Sequence, residues 1–265
     1  MLKNNDKGWL ILHHYSPFSQ ILVDMLGHSA QLLSTEELVM QTRVFLDLDN
    51  GQNSVMSTKA YEVNNFQSKI VFHEGFYQLG EVLHSYFPAD RSYVQSSWQS
   101  LLLSLFSQMK YVVNPLAPQN MGITAFQIPY ILQAAHQVGF IVPNYELLPK
   151  CSSFMQSSLW YLPKNHKETQ VKLQAPKGEL IVVSFVRQSK GCYRYWPQVP
   201  LGVRMRLKLL CETLRLDAGE AYFYVEKNWV FYGIRPGFSQ ERNEKVLEEV
   251  ALCIKELGDN INKPE

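Results

Sequence analysis

Apolar and polar positions follow two rhythms along the chain. GWLILHH, Gly8 to His14, is an unbroken apolar run closed by polar residues, which predicts a strand buried on both faces of a sheet. Ser16 and Pro17 then open a helix that Gly27 closes, with Ile21, Leu22, Met25 and Leu26 along one side. RVFLDLD and SKIVFHEGF predict further strands, the first ended by the turn-like DNGQN. From Ser92 the spacing changes. Trp98, Leu101, Leu102, Leu105, Phe106 and Met109 recur at helical intervals with Ser and Gln on the other face, and they predict a long amphipathic helix. YVVNPLAP reads as a strand stopped at Pro115. Strands alternating with helices predict an α/β unit, and the Pro118-containing link marks a boundary between residues 1–117 and 118–265.

Beyond that link, Phe126, Tyr130, Ala134 and Val138 predict one face of a helix, opened by a capping-box pattern of Thr124 and Gln127, with Pro129 near its start. Residues 151–178 are polar and carry only weak strand signals such as SLWYL. ELIVVSFVRQ is a strong strand, and KGCYRYWPQ pairs back on it across Ser189, Lys190 and Gly191. Val203, Leu207, Leu210, Cys211 and Leu214 then share a helix face, opposite the solvated Arg204, Lys208, Glu212 and Arg215. EAYFYVEKNWVFYGIRPG predicts an aromatic-rich hairpin turning at Glu226, Lys227 and Asn228. Half of its rings face a core by strand alternation, and the other half either form a sticky surface or lie under a helix. After Ser239 as N-cap, a last helix turns Leu247, Val250, Ala251, Ile254 and Leu257 inward.

Composition narrows the function classes. Lys and Arg total 25 against 24 Asp and Glu, so no net charge drives binding to nucleic acid or an anionic membrane. Cys151, Cys192, Cys211 and Cys253 lie far apart, which excludes a Cys-x-x-Cys zinc site and predicts buried free thiols in a reducing compartment. No stretch has the length of a signal h-region or a membrane span, so the expected location is cytoplasmic.

Candidate chemistry is sparse. His13 and His14 end the first strand and Ser16 opens the next helix, a place where α/β sheets hold ligands, so they predict either a small anion or peptide-carboxylate pocket or a purely structural His pair. There is no Gly-rich phosphate turn, no Gly-x-Ser-x-Gly elbow and no His-x-x-x-His pairing, so neither a catalytic residue nor a metal ligand is assigned.

Several phrases, in order, resemble the ATP-grasp superfamily, in particular the group containing the ribosomal-protein glutamate ligases and the graspetide cross-linking enzymes. VVNPLAP, Val112 to Pro118, is similar to the "vNp" strand that ends the family's Rossmann-like pre-grasp domain. ILQAAHQVGFIVPNYELLP, Ile131 to Pro149, is similar to the following helix and its Gly-hydrophobic-x-x-Pro phrase, and LRLDAGEAYFYVEKNWVFYGIRPGF, Leu214 to Phe238, stands where the family writes "vFlEvNp-x-G". The resemblance implies a Rossmann-like domain followed by a truncated ATP-grasp-like α/β domain with a mostly antiparallel sheet.

It also implies damage to the site. The Glu and Asn that hold magnesium in the family align with Gly233, which has no ligand atom, and Arg235, which brings a fixed positive charge. Glu220 stands for a preceding acidic ligand, and its bland reading is a strand-start residue that satisfies backbone or solvent. Residues 150–178 stand where a nucleotide-covering subdomain is expected, with Lys164 in WYLPKNHK either a remnant phosphate-binding lysine or one of several exposed loop lysines. The implied function is a degenerate, inactive ATP-grasp-like protein that binds a protein or peptide partner, such as an active ATP-grasp relative, with no cofactor. Two alternatives stand beside it: an atypical ATP-dependent carboxylate–amine ligase using ATP and magnesium, with Lys164, Glu220 and Arg235 in the cleft and a second subunit supplying the lid, and a small-molecule binder using His13, His14 and Ser16.

Overall fold

The computed structural model describes residues 8–13, 17–47, 49, 54–57, 62–64, 66, 69–73, 83, 86–114, 127–148, 170–173, 176–188, 191–238 and 243–261. Two compact units emerge: Met1–Leu116 together with Phe238–Glu265, and Ala117–Gly237.

The first unit is built on a four-stranded parallel sheet in which β1 (Gly8–His13) lies between β2 (Ala30–Ser34) and β6 (Lys69–His73), with β7 (Tyr111–Val113) beyond β6. Trp9, Leu10, Ile11 and Leu12 are all buried, as expected of a strand covered on both faces. Leu10 and Leu12 share a core with Leu102, Leu105, Phe106 and Met109 of α3 (Arg91–Ser107 and its C-cap turn), the face that helical spacing predicts. Helix α1 (Pro17–Leu26) packs on α6 (Glu244–Ile261), and the Phe18 ring meets Phe72 edge-on at 5.4 Å and Phe238 at a tilt at 4.5 Å. Gly258 of α6 lies against the Trp9 ring, where a Cβ would collide with the indole.

Three parts of this unit escape the sequence reading. Strand β2 follows a single 3-10 turn at Gly27–Ser29, and α2 (Thr35–Met40) follows it through a complete capping box: Ser34 Oγ accepts from the Glu37 N–H at 3.1 Å while Glu37 Oε2 accepts from the Ser34 N–H at 3.0 Å. A small antiparallel sheet joins β3 (Arg43–Phe45), the strand that RVFLDLD predicts, to β4 (Val55–Ser57) and β5 (Glu62–Asn64), which the sequence reading did not give. The terminal helix α6 belongs to this unit, whereas the sequence boundary assigned it to the second. Its cap is Asn243, whose Oδ1 accepts from the Lys245 N–H at 3.0 Å; Ser239 lies outside the described residues. The inward face of α6 matches expectation, with Leu247, Val250, Ala251, Ile254 and Leu257 buried.

The second unit carries α4 (Gln127–Gln137), a two-stranded ribbon of β8 (Tyr145–Leu148) and β9 (Gln170–Leu173), and an antiparallel sheet of order β11-β10-β12-β13. Its strands are β10 (Glu179–Arg187), β11 (Tyr193–Trp196), β12 (Ala218–Val225) and β13 (Trp229–Pro236), with α5 (Leu201–Leu214) between β11 and β12. The buried face of α5 is Val203, Leu207, Leu210, Cys211 and Leu214, as its period predicts. Helix α4 corrects its predicted face: Tyr130 is exposed, and Ile128, Ile131, Leu132 and Ala135 go inward beside Ala134. A purely apolar stripe is available at the same spacing, so the phenol stays in water; Phe126 and Thr124 lie outside the described residues.

The aromatic hairpin is covered. Phe223 and Phe231 meet Phe140 at 5.4 and 5.5 Å, Tyr222 and Tyr232 are buried, and Tyr224 and Trp229 are half-buried. The expected burial of the cysteines holds for Cys211 and Cys253 but not for Cys192, which is exposed beside the β10–β11 turn; Cys151 lies outside the described residues. Among the described residues no helix is long and apolar enough to cross a membrane.

Candidate functional site

The site is made by strand register. Ser184 of β10 stands opposite Glu220 of β12, and Glu220 stands opposite Arg235 of β13, so three polar residues lie side by side on one face of the sheet. Near the hairpin turn β12 and β13 pair as Val225 with Trp229 and Phe223 with Phe231. Past a bulge they pair as Tyr222 with Gly233 and Glu220 with Arg235, which leaves Tyr232 as the extra residue. Without the bulge Ile234 would face Glu220 and Arg235 would point to the opposite side. The bulge therefore aims the guanidinium at the carboxylate.

Glu220 is fully buried, and its Oε2 accepts two hydrogen bonds, from Arg235 Nη2 and from Tyr222 Oη, both at 2.9 Å. The Arg235 guanidinium also lies 5.8 Å from the centre of the Tyr222 ring, and its side chain is 34% exposed. Arg235 Nε and the hydroxyl of buried Ser184 have no hydrogen-bond partner among the described residues. A buried carboxylate needs a counter-charge, and here the protein supplies it internally. Glu220 is buried away from solvent, and a tyrosine and an arginine are among its partners.

Magnesium does not fit this arrangement. The ion takes near-octahedral oxygen ligands at short range, whereas the site offers one carboxylate already engaged, a glycine at 233 and a guanidinium at 235. No cluster of three or more His, Cys, Asp or Glu side chains suited to a metal exists among the described residues.

Of the other sequence candidates, His13 is the last residue of β1, aligned with Ser34 of β2, while His14, Ser16 and Lys164 lie outside the described residues. The site adds two residues that sequence reasoning missed. Tyr222 is two positions from Glu220 on the same strand, so alternation alone places it on the same face; Ser184 has no such local signal.

At the same end of the sheet, just before β12, buried Asp217 holds Arg187 through Oδ1 at 3.2 Å and through its backbone carbonyl, while Tyr193 Oη donates to Leu216 O at 2.8 Å. These bonds fasten β10 and β11 to the start of β12. In the first unit, at the carboxyl ends of β6 and β7, buried His73 donates from Nε2 to Asn114 O at 2.7 Å, with Asn114 itself at φ +59°. Burial pushes the His73 imidazole down to about 4, against the opposing pull of that hydrogen bond. A separate open hollow beside α4 is lined by His136, Ile141, Pro143, Asn144 and Tyr145.

No family model matches the chain, and no curated protein matches it. Solved structures do. The macrocyclase MdnC bound with precursor peptide MdnA from Microcystis aeruginosa MRC is similar at a TM-score of 0.67 and 10% identity, over 94% of this chain and 99% of that one. A RiPP-associated ATP-grasp ligase of Chryseobacterium gregarium, in complex with ADP and a leader and core peptide, gives 0.63 and 11% over 94% and 97%. The macrocyclase MdnB of Microcystis aeruginosa MRC gives 0.60 and 15% over 95% and 99%. With its parallel-sheet unit and its antiparallel unit, this chain has the fold of the ATP-grasp ligases.

Proposed function

We propose that the chain is a degenerate ATP-grasp-like protein that has given up ligation and acts as a binding partner in peptide modification. The observation that carries this reading is the Glu220–Arg235 pair at 2.9 Å. An ATP-dependent acyl transfer concentrates negative charge that cations must neutralise in the transition state. On this sheet face the carboxylate that would recruit a cation is already paired with a fixed guanidinium, and position 233 is glycine. The peptide side of the proposal draws on the similar structures: MdnC is bound with its precursor peptide, and the Chryseobacterium ligase is in complex with leader and core peptide. A chain that keeps the fold without the metal chemistry retains the surfaces for such an association.

Thermal unfolding with and without millimolar ATP and magnesium tests the proposal. The unfolding midpoint should not move. A ligand at ~100 times its dissociation constant adds about 2.7 kcal/mol, so a clear magnesium-dependent rise overturns the inactive reading.

One observation favours a second reading, an atypical ligase in which Arg235 grips phosphate directly: the side chain is one-third exposed and its Nε carries no hydrogen bond. On that reading nucleotide binds without the usual metal ligands, and Arg235→Ala weakens its measured affinity at least tenfold, or ~1.4 kcal/mol. An unchanged affinity removes it.

A further inference from the structure

The near-zero net charge of the chain conceals a segregation between two exposed helix faces. From Leu201 to its C-cap at Arg215, α5 carries Arg204, Arg206, Lys208 and Arg215 against the single Glu212, a net of +3. Helix α6 carries Glu244, Glu248, Glu249, Glu256 and Asp259 against Lys245 and Lys255, a net of −3. Each charged face has exposed apolar surface within it. On α5, Leu201, Met205 and Leu209 are 69%, 61% and 51% exposed, and four-residue spacing keeps them in one stripe along the helix. Single exposed leucines are ordinary; an aligned row of three on one helix is an interaction surface in search of a partner. On α6, Leu252 is 47% exposed and is framed by Glu248 and Glu249 one turn before it and Glu256 one turn after.

The α5 cations differ in how far they are committed. Arg206 is folded back onto Gly139 O at 2.8 Å and Arg204 onto Val199 O at 2.7 Å, whereas Lys208 sits in a loose, exposed 3.8 Å pair with Glu212 and Arg215 is exposed at the cap. Lys208 and Arg215 therefore present positive charge beside the Met205–Leu209 stripe.

From this complementarity of charge and apolar surface, we infer that α5 of one copy of the chain docks on α6 of a second copy. Leu252 seats against Met205 and Leu209, and the acidic frame around it faces Lys208 and Arg215. The contact joins two unlike faces, so it is heterologous: each copy offers one basic and one acidic helix. It does not depend on nucleotide, and it stands or falls separately from the function proposed above.

Sedimentation velocity over a range of protein concentrations tests the inference. The mass should rise with concentration at about 0.1 M salt and fall back at about 1 M, as the screening length drops from about 10 Å to about 3 Å. Two double variants, Met205→Glu with Leu209→Glu on α5 and Glu249→Lys with Leu252→Lys on α6, change exposed side chains and should each sediment as a monomer with an unaltered thermal midpoint. Mixed in equal amounts they retain one intact pairing, so they should recover association that stops at a dimer. A wild-type chain that stays monomeric at every concentration and salt, variants that still self-associate, or a mixture that stays monomeric overturns the inference.

Discussion

At the scale of single residues, the chain's chemistry is set by how it treats two buried ionisable side chains. Glu220 has no access to water, and its carboxylate is held by Arg235 and the Tyr222 hydroxyl. Arg235, one-third exposed, can turn to solvent if its partner is lost. The two halves of the pair should therefore fail unequally. Arg235→Ala strands a buried carboxylate and should cost about 3 kcal/mol, whereas Glu220→Gln keeps an acceptor for both neighbours and should cost about 1 kcal/mol. Urea unfolding of the two variants measures this, and equal losses would show that Glu220 is not held as described. His73 makes a prediction about pH. Its folded value is pushed down to about 4 from 6.5, so between those values the unfolded chain binds more protons than the folded one. Its contribution is complete above pH 6.5 and declines as pH falls towards 4, reaching a loss of up to about 3 kcal/mol. His73→Gln, which keeps a donor for Asn114 O, should flatten that part of the stability profile in urea titrations at pH 7 and pH 5. Among the thiols, burial also pushes Cys211 well above its usual value, while Cys192 lies at the surface. Alkylation of the native protein at neutral pH should label Cys192 and spare Cys211 and Cys253, as peptide mass mapping would read.

At the scale of elements, the long helices were legible, and so were the short strands β3, β7 and β11, whereas β4 and β5 were not. The inward faces of α3, α5 and α6 follow from apolar spacing alone because each runs for three or more turns, long enough for the 3.6 period to be unambiguous. Helix α4 was found but rotated, since Tyr130 and the Ile128–Ile131–Leu132 stripe compete over one short helix. Strands β4 and β5 carry three residues each, too few for alternation to register; α2 was missed although Ser34 and Glu37 in STEE spell the capping box that opens it. For the site, the resemblance singled out Glu220 and Arg235, but their contact rests on the bulge at Tyr232. Counting back evenly from the three-residue turn puts Ile234 opposite Glu220, so no reading of the hairpin from its turn alone would have paired them. The packing of α6 on β1 carries its own prediction. Gly→Ala in a helix ordinarily stabilises by about 1 kcal/mol, but at Gly258 the added methyl meets the Trp9 indole. Gly258→Ala should instead destabilise by about 1–3 kcal/mol, as overpacking does, and a stabilised variant in thermal unfolding would refute the contact.

At the scale of the whole molecule, the chain leaves its first unit at Leu116 and re-enters it at Phe238, so the second unit is a continuous segment inserted into a discontinuous one. The two should respond differently to truncation. A fragment of residues 117–237 should unfold cooperatively on its own, since β10 to β13, α4 and α5 share one core. A chain stopped at residue 237 should lose protection from hydrogen exchange in β1 and α1 while retaining it in β10 and β12, because α6 packs on α1 and Trp9. The sequence reading placed a boundary close to residue 117 from its proline-rich link, but it had no local signal for the return, because which unit a terminal helix packs against depends on partners more than two hundred positions away.

That return has a consequence during synthesis. A ribosome delivers the chain from its N-terminus at ~5–20 residues per second. The parallel sheet around β1 is made first, yet it cannot close until α6 has emerged, while the segment from 117 to 237 is complete before α6 is translated. The part of the protein that is born first therefore matures last, and Trp9, Phe18 and Leu22 wait uncovered for roughly ten seconds or more at that rate, an interval in which a chaperone rather than the protein's own helix must shield them.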